Sequence, residues 1–260
     1  MTYFQSAVLG VVQGATEFLP VSSSGHLVLA PRLLGWPDQG LAFDAAIHVG
    51  TLAALVLYFR ADLWRMARGM DRRLALLLMA ATVPGGLAGL LFEKVIAARL
   101  RDPLVIAVTL IGWGLVMWLA DRHAAATPRT IREPGGATWG AAMSVGVAQA
   151  VALMPGTSRS GITITAGLFA GMTRAAAARF AFLLGIPITA AAGGVKLLSL
   201  LRHGTDPASL GPLLTGVVAS FAAGLVAVWF LVNHLEKRSL LPFVIYRCTL
   251  GLLVLAVFGR

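Results

Sequence analysis

Charge is what this 260-residue sequence has least of: Lys, Arg, Asp and Glu make up 12% of it, where a soluble domain carries roughly 25%. Hydrophobic residues supply 58%, and mean hydropathy is +0.82. A soluble fold must cover its surface with polar groups, so this deficit excludes one and points to an integral membrane protein. Acidic residues are scarcest, 11 against 21 Lys and Arg, for a net charge of +10. That excess does not imply a nucleic-acid partner, because the basic residues sit mainly in short loops between apolar runs, the pattern of membrane topology. The single cysteine, Cys248, excludes a disulfide within the chain and reads as a packing residue. The first 20 residues lack a basic n-region and a small-residue cleavage site, so no removable signal peptide is expected.

Crossing a hydrocarbon core takes about 20 apolar residues. Six runs meet that length, at about 42–59, 74–92, 104–120, 178–201, 212–232 and 241–258. Two more apolar regions, about 3–35 and 138–172, are broken in the middle by proline, glycine and hydroxyl residues. The arm before Pro20 spans only about 22 Å as a helix, too short to cross. Irregular backbone at membrane depth survives only where protein or a water-filled cavity satisfies it. Both regions therefore read as re-entrant helix–loop–helix hairpins.

The hairpins resemble each other. "GVVQGATEFLPVSSSG" at 10–25 overlies "GVAQAVALMPGTSRSG" at 146–161, matching Gly10, Gln13, Ser22, Ser24 and Gly25 with Gly146, Gln149, Ser158, Ser160 and Gly161. Three spans follow each hairpin, so the second copy is inverted. The expected fold is all-α: six transmembrane helices and two hairpins in one polytopic domain, with repeat 1 at about 1–122 and repeat 2 at about 137–260. The functional site is expected where the tips meet. With both hairpins re-entrant, loops 60–73, 121–137, 171–179 and 233–240 share one side and hold 12 Lys and Arg, against 6 opposite. The positive-inside rule then puts both termini outside.

Chemistry concentrates at the tips. Ser6, Gly10, Gln13 and Glu17 form one helical stripe, and an ionisable group at membrane depth usually marks a pathway or a site. Pro20 ends that helix. "SSSG" (Ser22, Ser23, Ser24 and Gly25) starts the next arm with good N-cap residues, at a helix end that favours anions. His26 lies one turn further on. In the second tip Arg159 takes the place of Ser23 and Leu153 that of Glu17, while Thr157, Ser158, Ser160 and Thr163 add hydroxyls. The guanidinium fork matches phosphate oxygens. Acid, imidazole, guanidinium and hydroxyls together suit phosphoryl transfer on a lipid with a phosphate head. A divalent cation held by one or two carboxylates and phosphate oxygens fits that inventory.

"QGATEFLPVSSSGH" and "PGTSRSG" resemble the two signature motifs of the bacterial undecaprenyl-diphosphate phosphatase family associated with bacitracin resistance. The similarity continues through "FDAAIHVGTLAAL" at 43–55, "FAFLLGIPITAAA" at 180–192 and "LLPFVIYR" at 240–247, covering essentially the whole chain. It implies hydrolysis of undecaprenyl diphosphate to undecaprenyl phosphate and inorganic phosphate, recycling the carrier for cell-wall glycans. It further implies Mg²⁺ or Ca²⁺ dependence, a multi-pass protein of the inner membrane with its site open to the periplasmic side, and frequent homodimers. The acidic motif carries over as Gln13 and Glu17, the hydroxyl–histidine motif as Ser22, Ser23 and His26, and the arginine motif as Ser158, Arg159 and Thr163. Many members have glutamate where this chain has Gln13. Glu17 is then the only carboxylate at its tip, and Gln13 becomes a neutral metal ligand or hydrogen-bond partner.

For the mechanism, Arg159 and the hydroxyls Ser22, Ser24, Thr157, Ser158, Ser160 and Thr163 are expected to hold phosphate. Ser23 or His26 attacks, or activates a water; Ser23 with His26 handling its proton is the favoured arrangement. His48 could face the same cavity but reads more readily as a helix-packing residue, and Asp44 lies too near a span end to replace a second carboxylate. A transporter or flippase for polyprenyl phosphates, built on the same inverted hairpins, is the alternative. A type-2 phosphatidic-acid phosphatase, suggested by "SGH", is excluded because no histidine follows Ser158–Arg159 before His203.

Overall fold

The computed structural model describes residues 1–100, 102–203 and 207–259, all in helices or their connections apart from one isolated bridge between Ile131 and Met172. The protein is an all-α integral membrane protein. Five helices are long and apolar enough to span a bilayer. They lie within α5 (Arg72–Arg99), α6 (Pro103–Ala126), α9 (Arg174–His203), α10 (Pro207–Lys237) and α11 (Leu241–Phe258). A sixth span arises if α3 (Gly40–Tyr58) and α4 (Arg60–Ala67), bent by 71° at their junction, count together. The six expected runs all appear, several longer than their apolar stretches. Leu90, 84% exposed, typifies an outer surface fit only for lipid.

The two broken regions form short helix pairs, α1 (Tyr3–Phe18) with α2 (Ser23–Leu34) and α7 (Trp139–Val151) with α8 (Arg159–Phe169). Each pair opens on a threonine N-cap at the matching position, Thr2 and Thr138, accepting from Gln5 N and Ala141 N. Each then packs on a span of the other half. The Cβ of an alanine at Gly10 would meet Gly216 O of α10 at 2.4 Å, and at Gly146 it would meet Ala81 O of α5 at 2.4 Å. Such contacts let helix backbones approach in lipid, where packing replaces the hydrophobic effect between helices. Phe4 stacks edge-on to Trp36, so α1 begins beside the end of α2.

The four basic loops meet at one end of the bundle. Arg179 pairs with Asp62 at 3.1 Å, Arg174 with Asp121 at 2.5 Å, and Arg73 donates to Gly135 O and Ala137 O. Leu240 N donates to the other Asp121 oxygen. Both ends of the second hairpin lie at this end, since Ile131 N donates to Gly171 O and Thr173 N to Ile131 O beside it. Of the basic residues assigned opposite, Arg101 and Arg260 lie outside the described residues.

Candidate active site

The tips repeat one capping turn. Ser22 (φ 77°) and Ser158 (φ 70°) are the only non-glycine residues at positive φ among the described residues, each a strain of about 1–3 kcal/mol that surrounding structure must hold. Each caps the following helix by accepting from a glycine N–H, Gly25 or Gly161. Each hydroxyl also meets the serine two residues on, at 3.3 Å for Ser24 and 3.2 Å for Ser160. The capped helix starts, α2 and α8, direct remaining first-turn N–H groups toward the tips, where an anion is favoured.

Holding this pair of strained turns falls to Arg247 of α11, which is buried and faces no carboxylate in its hydrogen bonds. Its guanidinium donates to Pro20 O on one tip, to Gly156 O and Thr157 O on the other, and to Thr109 O and Leu110 O of α6. Thr109 Oγ1 donates to Pro155 O, and Ser160 Oγ to Leu19 O, tying the tips further. The sequence reading missed Arg247. A lone arginine in an apolar run was its only signal.

The reactive side chains converge on Glu17. Its Oε1 accepts from Arg159 Nη2 at 2.7 Å, and its Oε2 accepts from Ser23 Oγ at 2.6 Å and from Gln13 Nε2 at 3.2 Å. Arg159 Nη1 is braced by Thr189 Oγ1 of α9. Buried acid and guanidinium thus neutralise each other across 142 residues of chain. Phe18 anchors the acid from behind, edge-on to Phe182. His48 belongs here too, contrary to the packing role expected of it. Its Nδ1 donates to Asp44 O, which leaves Nε2 3.7 Å from Glu17 Oε2.

His26 does not join Ser23 as expected. Its Nδ1 donates to the Ser22 carbonyl at 2.7 Å, so Nε2 accepts from Tyr246 Oη at 2.7 Å, and the two rings stack. Ser23 turns to Glu17 because α1 brings a carboxylate to it, while His26 sits a turn away on the α11 side. Ser22, Ser158, Ser160 and Thr163 are brought to the tips but spend hydroxyl contacts on backbone: Thr163 Oγ1 donates to Arg159 O. Ser24 is exposed beside Ser22, and the Thr157 hydroxyl is buried without a partner among the described residues.

Gln13 Oε1 is likewise buried without a donor, directly beside the Glu17 carboxylate. An orphaned acceptor next to a carboxylate fits a hard cation. No group of three or more His, Cys, Asp and Glu side chains able to hold a metal occurs among the described residues, so such an ion needs substrate oxygens to complete its shell.

A family model described as bacitracin resistance protein BacA matches residues 6–253. The chain belongs to this family. Among BacA relatives, undecaprenyl-diphosphatase 2 of Stutzerimonas stutzeri is 46% identical over 272 residues, covering 100% of this chain and 99% of that protein. An undecaprenyl-diphosphatase of Thioalkalivibrio sulfidiphilus is 46% identical over 269 residues, with 99% and 100% covered. A third, from Trichlorobacter lovleyi, is 45% identical over 271 residues, with 100% and 98% covered. The resemblance carried by the two tip motifs thus extends over the full length of BacA-family proteins.

Proposed function

We infer that this protein hydrolyses undecaprenyl diphosphate to undecaprenyl phosphate and inorganic phosphate, returning the lipid carrier to cell-wall synthesis and conferring bacitracin resistance. The observation that carries this reading is the Ser23–Glu17–Arg159 triad: a hydroxyl 2.6 Å from a carboxylate whose other oxygen holds a guanidinium. A carrier or flippase needs the guanidinium but not a hydroxyl poised on a base, so the triad favours hydrolysis.

In this mechanism the diphosphate head enters between the tips and draws Arg159 onto the terminal phosphate, freeing Glu17 to act as general base. Ser23 Oγ bonds to the terminal phosphorus as its proton passes to Glu17, and the bridging P–O bond breaks. Undecaprenyl phosphate departs with the bridging oxygen, an acidic leaving group. Water then attacks the phosphoserine, releasing inorganic phosphate and restoring the serine hydroxyl. Arg159, the serine hydroxyls and the first-turn N–H groups of α2 and α8 stabilise the equatorial oxygens in both steps. His26 braces the strained Ser22 carbonyl and so positions Ser23. Glu17 and Gln13 Oε1 are the residues that would hold a Mg²⁺ or Ca²⁺ ion, which would neutralise diphosphate charge.

The two halves, about 1–122 and 137–260, read as an inverted repeat whose hairpins re-enter the membrane. The basic end, with 12 Lys and Arg against 6, faces the cytoplasm under the positive-inside rule. The site then opens to the periplasmic side of the inner membrane. Phosphate release from undecaprenyl diphosphate by detergent-purified protein, with Mg²⁺, Ca²⁺ or chelator, tests the assignment. Release that collapses in Glu17→Ala and Arg159→Ala is expected. No release from folded wild type under any of these conditions overturns it in favour of lipid transport.

A further inference from the structure

A second anion-binding arrangement lies at the basic end, at the opposite end of α8 from Arg159 and roughly 14 Å from it along the helix. A cavity of about 460 Å³ there is lined by Arg129, Arg132, Arg174, Thr173, Glu236 and the apolar Leu235, with alanines at its edge. The loop carrying Arg129 and Arg132 is built in, not loose. Ile131 N donates to Gly171 O, and Thr173 N donates to Ile131 O, so the loop adds a rung beside the turn into α9.

Arg129 is fixed by bonds to Ala124 O, Leu168 O and Thr127 Oγ1, none of them charged. Each of its three nitrogens makes one such bond, so two of its five N–H groups remain for a ligand. Among the described residues Arg174 is the one paired cation of the cavity, through Asp121. Glu236 is exposed and lines the same cavity. Three guanidiniums therefore face two carboxylates, and Arg129 and Arg174 repel each other within one cavity. Burial and, after it, the like charge of Arg174 hold Arg129 below the usual arginine range. That repulsion is relieved by an anion. The start of α9, capped by Thr173 accepting from Ala176 N, adds its positive dipole end to the same space.

We propose that this cavity binds the phosphate of an anionic phospholipid headgroup at the basic face. The fork geometry of arginine suits phosphate oxygens, and basic pockets between helix ends on the cytoplasmic side take such headgroups. Free inorganic phosphate shares the chemistry and is separated from a lipid headgroup by competition. The inference is independent of the reaction at Glu17.

Native mass spectrometry of the full chain in neutral detergent, titrated with phosphatidylglycerol and in parallel with phosphatidylcholine, tests it. Wild type is expected to retain one phosphatidylglycerol in preference to phosphatidylcholine. Each arginine removed costs about fivefold in affinity, so Arg132→Gln weakens retention by that factor and adding Arg129→Gln brings the loss to about 25-fold. Because Arg129 also ties α8 to α6, the exposed Arg132 alone carries the decisive comparison. Arg159→Lys leaves retention unchanged, and millimolar inorganic phosphate does not displace the lipid. Equal retention by wild type and Arg132→Gln overturns the proposal, as does loss that follows Arg159→Lys. Displacement by inorganic phosphate overturns the lipid assignment in favour of a free-phosphate site.

Discussion

The first and second hairpin tips share a strained serine cap but differ around it: Gly156 (φ 87°) stands where the first tip has Pro20, and α7 ends three residues earlier than the matching point of α1. Ser22 and Ser158 share a strained φ, a glycine N–H and a neighbouring serine hydroxyl. Among the reactive side chains, the first tip has Glu17, Ser23 and His26 where the second has Leu153, Arg159 and Ile162. Two copies of one turn supply two helix starts for oxyanions, while the substitutions split acid and hydroxyl from cation. In the proposed mechanism neither tip alone supplies both the hydroxyl–carboxylate pair and the cation; the two facing tips do. The capping turn here is the shared resource, and chemistry resides in the asymmetry.

Breaking the first tip should have the largest effect. Ser23→Ala removes the proposed nucleophile and is expected to lower phosphate release about 10⁴-fold or more, while Ser160→Ala, on the other tip, loses far less. Equal losses would shift the nucleophile away from Ser23. Next comes the clamp that both tips share. Arg247→Ala leaves five main-chain carbonyls without their donor and should destabilise the fold by about 3–5 kcal/mol. Thermal unfolding in detergent measures it, and Arg247→Lys should recover only part, since one ammonium cannot reach five acceptors.

Breaking the second tip, Arg159→Ala is expected to cost about 10²–10³ in turnover and Arg159→Lys less, because a point charge still meets the phosphate but loses the fork. The finest test compares the two strained serines. Ser22→Gly and Ser158→Gly each relieve strain and lose a cap, so stability should move by no more than about 1 kcal/mol in either. A large difference between the two would show that the tips are not equivalent in backbone energetics.

Much of this was legible in local sequence. Low charge and apolar length marked the spans, Pro20 and the serine–glycine runs marked the turns, and the 136-residue offset paired Gly10, Gln13 and Ser22 with their counterparts. Those features act over one or two helical turns, or repeat, so a linear reading captures them. Glu17 and Arg159 were legible as well, since a charge in an apolar run has to find an opposite one.

Which atoms meet was not legible. Ser23 faces two candidate bases within a few residues, Glu17 and His26, and sequence distance does not rank them. Only the packing of α1 against α10 and of α11 against the tips turns Ser23 to the carboxylate and His26 to Tyr246, 220 residues away. Arg247 reaches Pro20 across 227 residues to carbonyls that carry no side-chain signature. The sequence by itself determined that this is a membrane protein with two duplicated, broken helices bearing opposite charges, because burial cost and helix propensity are local. Tertiary structure decided which carboxylate Ser23 meets, the clamp and the place of His48, because hydrogen-bond partners follow from rigid helices docked at long range.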